Sequence, residues 1–283
     1  FIHTNGEVLY LSPDGKNIYS TQSNTKSILK DKKFIHLLED KTIGKTGHDV
    51  KAVVKLLLDH DIHLGGLVMD TMIVSYMLSV ELQAHDFQSV YSKITTKNVA
   101  DDDMAVINHL IELSDQLSAK LKKSPVLDAY KKIELPTVPV LASMERNGIA
   151  INKKIIASLL TLTKKEIAKL EKKIYKIADK EFNINSPQQL AVILYDELAI
   201  EGRVKKTAKG ARSTAAPQLE KLREAHEIIP LILQYREVMK LKNTYIEPFP
   251  SFADEDGRIR TTYNQTGAIT GRLSSQNPNL QNI

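Results

Sequence analysis

Apolar residues follow two spacing regimes along the chain. Up to about residue 125 short alternating runs mix with helical spacings, as in a mixed α/β unit. The stretch Gly6 to Tyr19 holds two short strand-like runs around Pro13-Asp14-Gly15 and predicts a hairpin. Val50 to His60 and Thr71 to Leu82 carry helical spacing, with a short strand expected at Leu67 to Asp70 between them. Pro125, Pro136 and Pro139 are then expected to interrupt regular structure and mark a boundary. Beyond them the pattern turns helical. From Asn152, a capping residue, to about Lys180, the residues Ile155, Ile156, Leu159, Leu160, Ile167, Leu170, Ile174 and Ile177 form one stripe under a lysine-covered surface. Ser186-Pro187 starts a further helix through Leu198, helix resumes after Thr214, and a longer one runs from Pro230 to Tyr245. Arg258 to Tyr263 alternates as a strand does.

Composition narrows the class. At 283 residues and 42% hydrophobic content the chain is globular and long enough for two cores. It has no run of 18 apolar residues and no leader-like segment, and it has no cysteine, which excludes a disulfide framework and a thiolate metal site. A cytoplasmic protein is expected, with no membrane contact. The net charge of +5 is unevenly spread. Residues 1–125 hold 14 Lys, no Arg and 16 acids; residues 126–283 hold 17 Lys, all 8 Arg and 18 acids. Guanidinium forks suit phosphate, so the second part is the expected nucleic-acid face, although a lysine-rich composition alone would also raise the charge.

The most specific signal is the segment 270–283, Thr-Gly-Arg-Leu-Ser-Ser-Gln-Asn-Pro-Asn-Leu-Gln-Asn-Ile. Its Arg and side-chain amides suit the minor groove, whose acceptors look alike for every base pair, so such groups test pair geometry without reading sequence. This segment resembles the stretch that leads into the first catalytic carboxylate of the palm in bacterial DNA polymerase I, family A. Tyr263-Asn264-Gln265-Thr266, Gln234 to Tyr245, and Val138 to Gly148 fall in the same family's order. The resemblance covers Ile133 to Ile283 most closely and extends to about Lys41. It implies an α/β, ribonuclease H-like, 3′–5′ exonuclease-like domain over 1–125. A linker and mainly α-helical thumb would follow over 126–250, and the first strands of an α+β palm over 251–283.

By the same resemblance Arg272, Asn279, Gln281 and Asn282 are expected at the minor-groove edge and backbone of primer–template DNA. Arg236, Lys240 and Asn243, on one face of the last thumb helix, resemble phosphate and sugar contacts. Lys205, Lys206, Lys209 and Arg212 form a basic thumb tip, an electrostatic contact that salt should weaken. Ser186, Ser213 and Thr214 read as helix caps whose amides also suit phosphate.

The exonuclease-like part departs from its family. No Asp-x-Glu stands at the N-terminal strand, the second-motif aspartate aligns with Val53, and the third motif aligns with His109 to Leu113. The carboxylates that would hold two metals are therefore expected to be lost. Asp70 reads as a turn or helix cap, Asp101-Asp102-Asp103 as a solvated loop or helix start, and the histidines as ordinary ones. The resemblance implies a parent enzyme that adds nucleotides from dNTPs to a primer using Mg2+ held by palm aspartates beyond Ile283. The 283 residues themselves are expected to be an inactive, monomeric piece with no cofactor and no catalytic residue. A stand-alone DNA-binding module and an active 3′–5′ exonuclease are the alternatives.

Overall fold

The computed structural model describes residues 2–4, 7–11, 18–20, 28–79, 84–98, 103–202, 204–205, 210 and 212–281; up to residue 28 and over 103–108 it gives the backbone alone. The chain divides into two compact units, one of residues 1–149 and 258–283 and the other of residues 150–257.

The first unit is built on a five-stranded sheet of β1 (Ile2–Thr4), β2 (Glu7–Leu11), β3 (Ile18–Ser20), β4 (Lys45–Gly47) and β5 (Leu67–Asp70). The order is β3-β2-β1-β4-β5. Strands β2 and β3 form the antiparallel hairpin that the sequence predicts, with Leu11 opposite Ile18; the turn residues 12–17 lie outside the described residues. Strands β4 and β5 are parallel, which requires a crossover, and α2 (Val50–Asp59) supplies it; α1 is Lys32–Glu39. Helices α3 (Thr71–Leu78), α4 (Phe87–Thr95) and α5 (Asp103–Lys122) follow. One core joins them: Val50, Val53, Leu57, Val74, Val90 and Leu113 are each no more than 1% exposed. Each such side chain contributes about 1.5–3 kcal/mol by leaving water.

Asp70 shows how local chemistry fixes this layer. Its carboxylate accepts from the backbone N–H of Met72 (2.9 Å), Val50 (2.8 Å) and Asp49 (3.2 Å), so one side chain caps α3 and receives the first turn of α2. Burial, followed by the nearby Asp49 charge, pushes its carboxyl up to about 7, against the pull of those donors.

Pro125 lies, as expected, in the turn at 123–126 that separates α5 from the next helix, but Pro136 and Pro139 do not break the chain. The short α6 (Leu127–Ala129), a π-helical turn at Tyr130–Glu134 and α7 (Leu135–Asn147) run on without interruption. Pro136 sits in the first turn of α7, where no N–H is needed, and Pro139 lies inside it. Extra donors serve this stretch: the Thr137 hydroxyl bonds the Ile133 carbonyl at 2.7 Å, and the Gln265 amide bonds the Glu134 carbonyl at 3.1 Å. Because Val138 and Ala142 of α7 belong to the first core, the compact unit extends past the proline cluster to residue 149.

Strands β6 (Ile149–Ala150) and β7 (Arg258–Ile259) mark where the chain passes between units. The second unit holds α8 (Lys153–Ala178), α9 (Pro187–Ala191) with a π turn at Val192–Glu197, α10 (Ala216–Leu219) and α11 (Ile228–Lys240) with a π turn at Leu241–Ile246. Asn152 caps α8 and Ser186 caps α9, as predicted. Ser213 and Thr214 do not cap α10, because Ala215 holds that position; Thr214 is buried instead. Helix α8 packs on α11 through Ile167, Leu170, Ile174, Ile228, Ile229 and Ile232. The expected stripe on α8 is covered only in its second half: Ile155 is 55% exposed and Leu159 40%.

Candidate nucleic-acid interface

The terminal polar motif folds as a hairpin in the first unit. Strands β8 (Thr262–Asn264) and β9 (Ser274–Gln276) pair antiparallel, so the single strand read at Arg258–Tyr263 is two short ones, β7 and β8. Neighbouring side chains hold the hairpin at several points. Glu145 of α7 is only 3% exposed, and its carboxylate accepts the Tyr263 N–H at 2.9 Å. The same carboxylate pairs with Lys51 and, at 3.3 Å, with Lys55, both of α2, while Lys51 also donates to the Tyr263 carbonyl. Gln265 bonds Glu134, and the Tyr76 hydroxyl donates to the Ala268 carbonyl at 2.5 Å. The Asn264 side chain accepts the Thr266 N–H at 2.8 Å, closing a local turn.

Just before the hairpin, Arg258 and Arg260 serve the C-terminal end of α7. Arg258 donates to the Asn147 and Gly148 carbonyls and Arg260 to that of Arg146 at 2.8 Å, meeting acceptors that a helix end leaves open. Gly148 has a φ of +60°, and a Cβ there would fall 2.7 Å from the Ile259 carbonyl oxygen.

Against this scaffold, Arg272 is exposed and has no protein partner among the described residues. Asn279 and Gln281 are exposed nearby in sequence. The Asn279 carbonyl oxygen accepts from the Gln281 N–H at 3.0 Å and from the Ser275 hydroxyl at 3.2 Å, leaving its amide N–H2 for an outside acceptor. Asn282 lies outside the described residues.

The helical unit arranges its basic groups differently. Arg236 is partly buried and donates to the Thr214 carbonyl; burial lowers its guanidinium from the usual value. Arg212 donates to the Tyr195 carbonyl and to Asp196, both at 2.8 Å, with its guanidinium carbon 4.5 Å from the centre of the Tyr195 ring. Lys240 is exposed. Asn243 is exposed in the π turn that follows, and Lys242 donates to its side chain at 3.0 Å. Lys205 is exposed, with its backbone fixed by Gln218 and Ser213; Lys206 and Lys209 lie outside the described residues.

Two positions aligned with nuclease carboxylates are packed in the first core: Val53 is 1% exposed and Leu113 0%. His109, at the start of the third aligned segment, bonds the Tyr91 hydroxyl at 2.7 Å. Among the described residues no group of three or more His, Asp or Glu side chains is placed to hold a metal ion. A cleft of about 520 Å3 is lined by Asp49, Lys51, Lys55, Glu145, Asn264 and Gln276 among others, and its mixed charges favour neither sign of ligand.

The family model for DNA polymerase family A matches residues 153–283, and that for the ribonuclease H-like domain of DNA polymerase I matches residues 7–106. The chain belongs to DNA polymerase family A. DNA polymerase I of Caldicellulosiruptor bescii is 35% identical over 271 residues, covering 94% of this chain and 32% of the relative. The thermostable DNA polymerase I of Thermus thermophilus is 44% identical over 173 residues, covering 60% of this chain and 21% of the relative. The chain thus spans a third or less of the length of these curated relatives. Among solved structures, the POL domain of Pol1 from M. smegmatis, in complex with DNA primer-template and dNTP, aligns with a TM-score of 0.79 and 29% identity. That alignment covers 98% of this chain and 49% of the other. No described helix is long and apolar enough to cross a membrane.

Sequence reading missed the residues that support the hairpin: Lys51, Tyr76, Glu134 and Glu145. Their partners lie between 118 and 212 positions away, beyond any periodicity or spacing signal.

Proposed function

We propose that these residues are the duplex-gripping part of a DNA-directed DNA polymerase. In the longer protein, nucleotides from dNTPs are added to a primer 3′-hydroxyl with divalent metal ions held outside the 283 residues. The observation that carries the reading is an open guanidinium, Arg272, on a hairpin tied down at several points. A planar fork held in place loses little freedom when it meets the minor-groove acceptors of a base pair, and it meets the same two acceptors whichever pair is presented. Asn279 and Gln281 add side-chain amides on the same segment. In this reading residues 251–283 begin the palm and the helical unit is the thumb, with Lys205 and Lys240 as its phosphate contacts.

The ribonuclease H-like domain then serves as a scaffold and not as a nuclease. Val53 and Leu113 fill with hydrocarbon two places where metal binding needs carboxylates, and Asp70 is committed to backbone N–H groups. The 283 residues alone are expected to bind primer–template DNA as a cytoplasmic monomer and to add no nucleotide.

The test is primer–template binding by the chain and its Arg272→Ala variant across a salt series, with a Mg2+ and Mn2+ nuclease assay on the same samples. Salt-sensitive binding that the substitution weakens, without cleavage, supports the reading. Equal binding by the two proteins, or metal-dependent cleavage of single strands, overturns it.

A further inference from the structure

Residues 268–271 form a tight turn at the tip of the β8–β9 hairpin: the Gly271 N–H donates to the Ala268 carbonyl at 3.0 Å, and Gly271 has a φ of +73°. The second position of such a turn accepts most residues and favours proline. Here it is Ile269, 83% exposed, the largest value among the described large hydrophobic residues. Nothing in the turn requires a branched apolar side chain there, so the turn geometry does not explain it.

The turn is fixed in place. The Ala268 carbonyl accepts from Tyr76 as well as from Gly271, Gln265 is bonded to Glu134, and a Cβ on Gly267 would fall 2.8 Å from both the Asn264 amide nitrogen and the Ser274 hydroxyl. Ile269 is therefore a preorganised apolar projection three residues before the open Arg272, with Leu273, 37% exposed, on the other side of that arginine.

Resting on the duplex-binding reading, we propose that Ile269 is a groove-probing residue: it enters the DNA minor groove beside Arg272 and packs on the sugar walls and groove floor. The chemistry predicts a preference. The floor of the minor groove is open at A·T pairs, whereas each G·C pair places the guanine N2 amine there. An apolar side chain pressed to the floor desolvates that amine without bonding it. Binding should then favour pairs that lack the amine, and inosine·cytosine should behave as A·T does.

The experiment compares the wild-type chain with Ile269→Ala and Arg272→Ala on three duplexes that differ only in the pairs nearest the primer end: A·T, inosine·C and G·C. The wild-type chain is expected to bind the first two about threefold to tenfold more tightly than the third. In Ile269→Ala that difference should shrink to within about twofold, overall affinity should fall, and the salt slope should stay unchanged, because no charge is lost. Because Ile269 is exposed, thermal melting of the variant should match that of the wild type, which separates lost contact from lost fold. If Ile269→Ala binds all three duplexes as the wild type does while Arg272→Ala still loses affinity, the groove-probing role is overturned and the duplex reading stands. If Arg272→Ala also binds unchanged, the duplex reading itself fails.

Discussion

The terminal hairpin and the helical unit both carry basic groups suited to nucleic acid, and they use them in opposite ways. In the helical unit Arg236 is spent on the Thr214 carbonyl, Arg212 on Tyr195 and Asp196, and Arg223 on Glu220. In the hairpin the holding is done by Tyr76, Gln265 and Glu145, so Arg272 is left open. A guanidinium is available to a ligand only where other donors satisfy the surrounding backbone carbonyls. The number of arginines in a segment is therefore a poor measure of its recognition surface, and the bonding around each one is a better measure.

The largest effect is expected from removing the support beneath the hairpin. Glu145→Ala leaves the partly buried Lys51 without its carboxylate and the Tyr263 N–H without its acceptor, and should cost about 3–5 kcal/mol of stability, read from denaturant midpoints. Duplex binding should fall with it, whereas unchanged stability would mean that the hairpin is held by other means. Arg272→Ala should cost about 1–3 kcal/mol of duplex affinity, lower the salt slope by about one and leave the melting temperature alone. Arg236→Ala should do the reverse. With the Thr214 carbonyl losing its donor, stability should drop by about 1–3 kcal/mol while the salt slope holds. A reduced slope with unchanged stability at Arg236 would erase the contrast between the two regions.

The smallest effect concerns pH. Asp70 has its carboxyl raised in the folded state to about 7 from an ordinary value of 3.8. Between those two values the folded state keeps a proton that the unfolded chain releases. Its contribution is thus full below about pH 4 and is lost as pH rises through 7. Asp70→Asn should flatten the decline in stability across that window, measured by urea unfolding at several pH values. An unchanged decline would place the proton elsewhere.

The caps and the helix–strand run from Val50 to Asp70 were legible because they depend on neighbours in sequence, whereas the strand Lys45–Gly47 and its parallel pairing were not read. The family, too, was legible, from the motif at 270–283 and its ordered companions upstream. Of the three prolines only Pro125 marks a break; Pro136 and Pro139 misled, the first because a proline in a first turn needs no N–H, the second because α7 carries it in its interior. The stripe on α8 misled in the opposite sense: its periodicity is sound, but half of it meets no core. The arginine asymmetry pointed to the second part of the chain, and only bonding partners far apart in sequence separate the committed guanidiniums from the open one.

Lys51, Glu145 and Tyr263 also set an order of events on the ribosome. The first two can meet as soon as α7 has emerged, but the backbone strand that they hold is made more than a hundred residues later. In the meantime the whole of residues 150–257, an uninterrupted stretch with its own core, is synthesised. Until Tyr263 arrives, α2 and α7 face the emerging chain with an unfilled edge, so the helical unit has time to fold before the earlier unit closes.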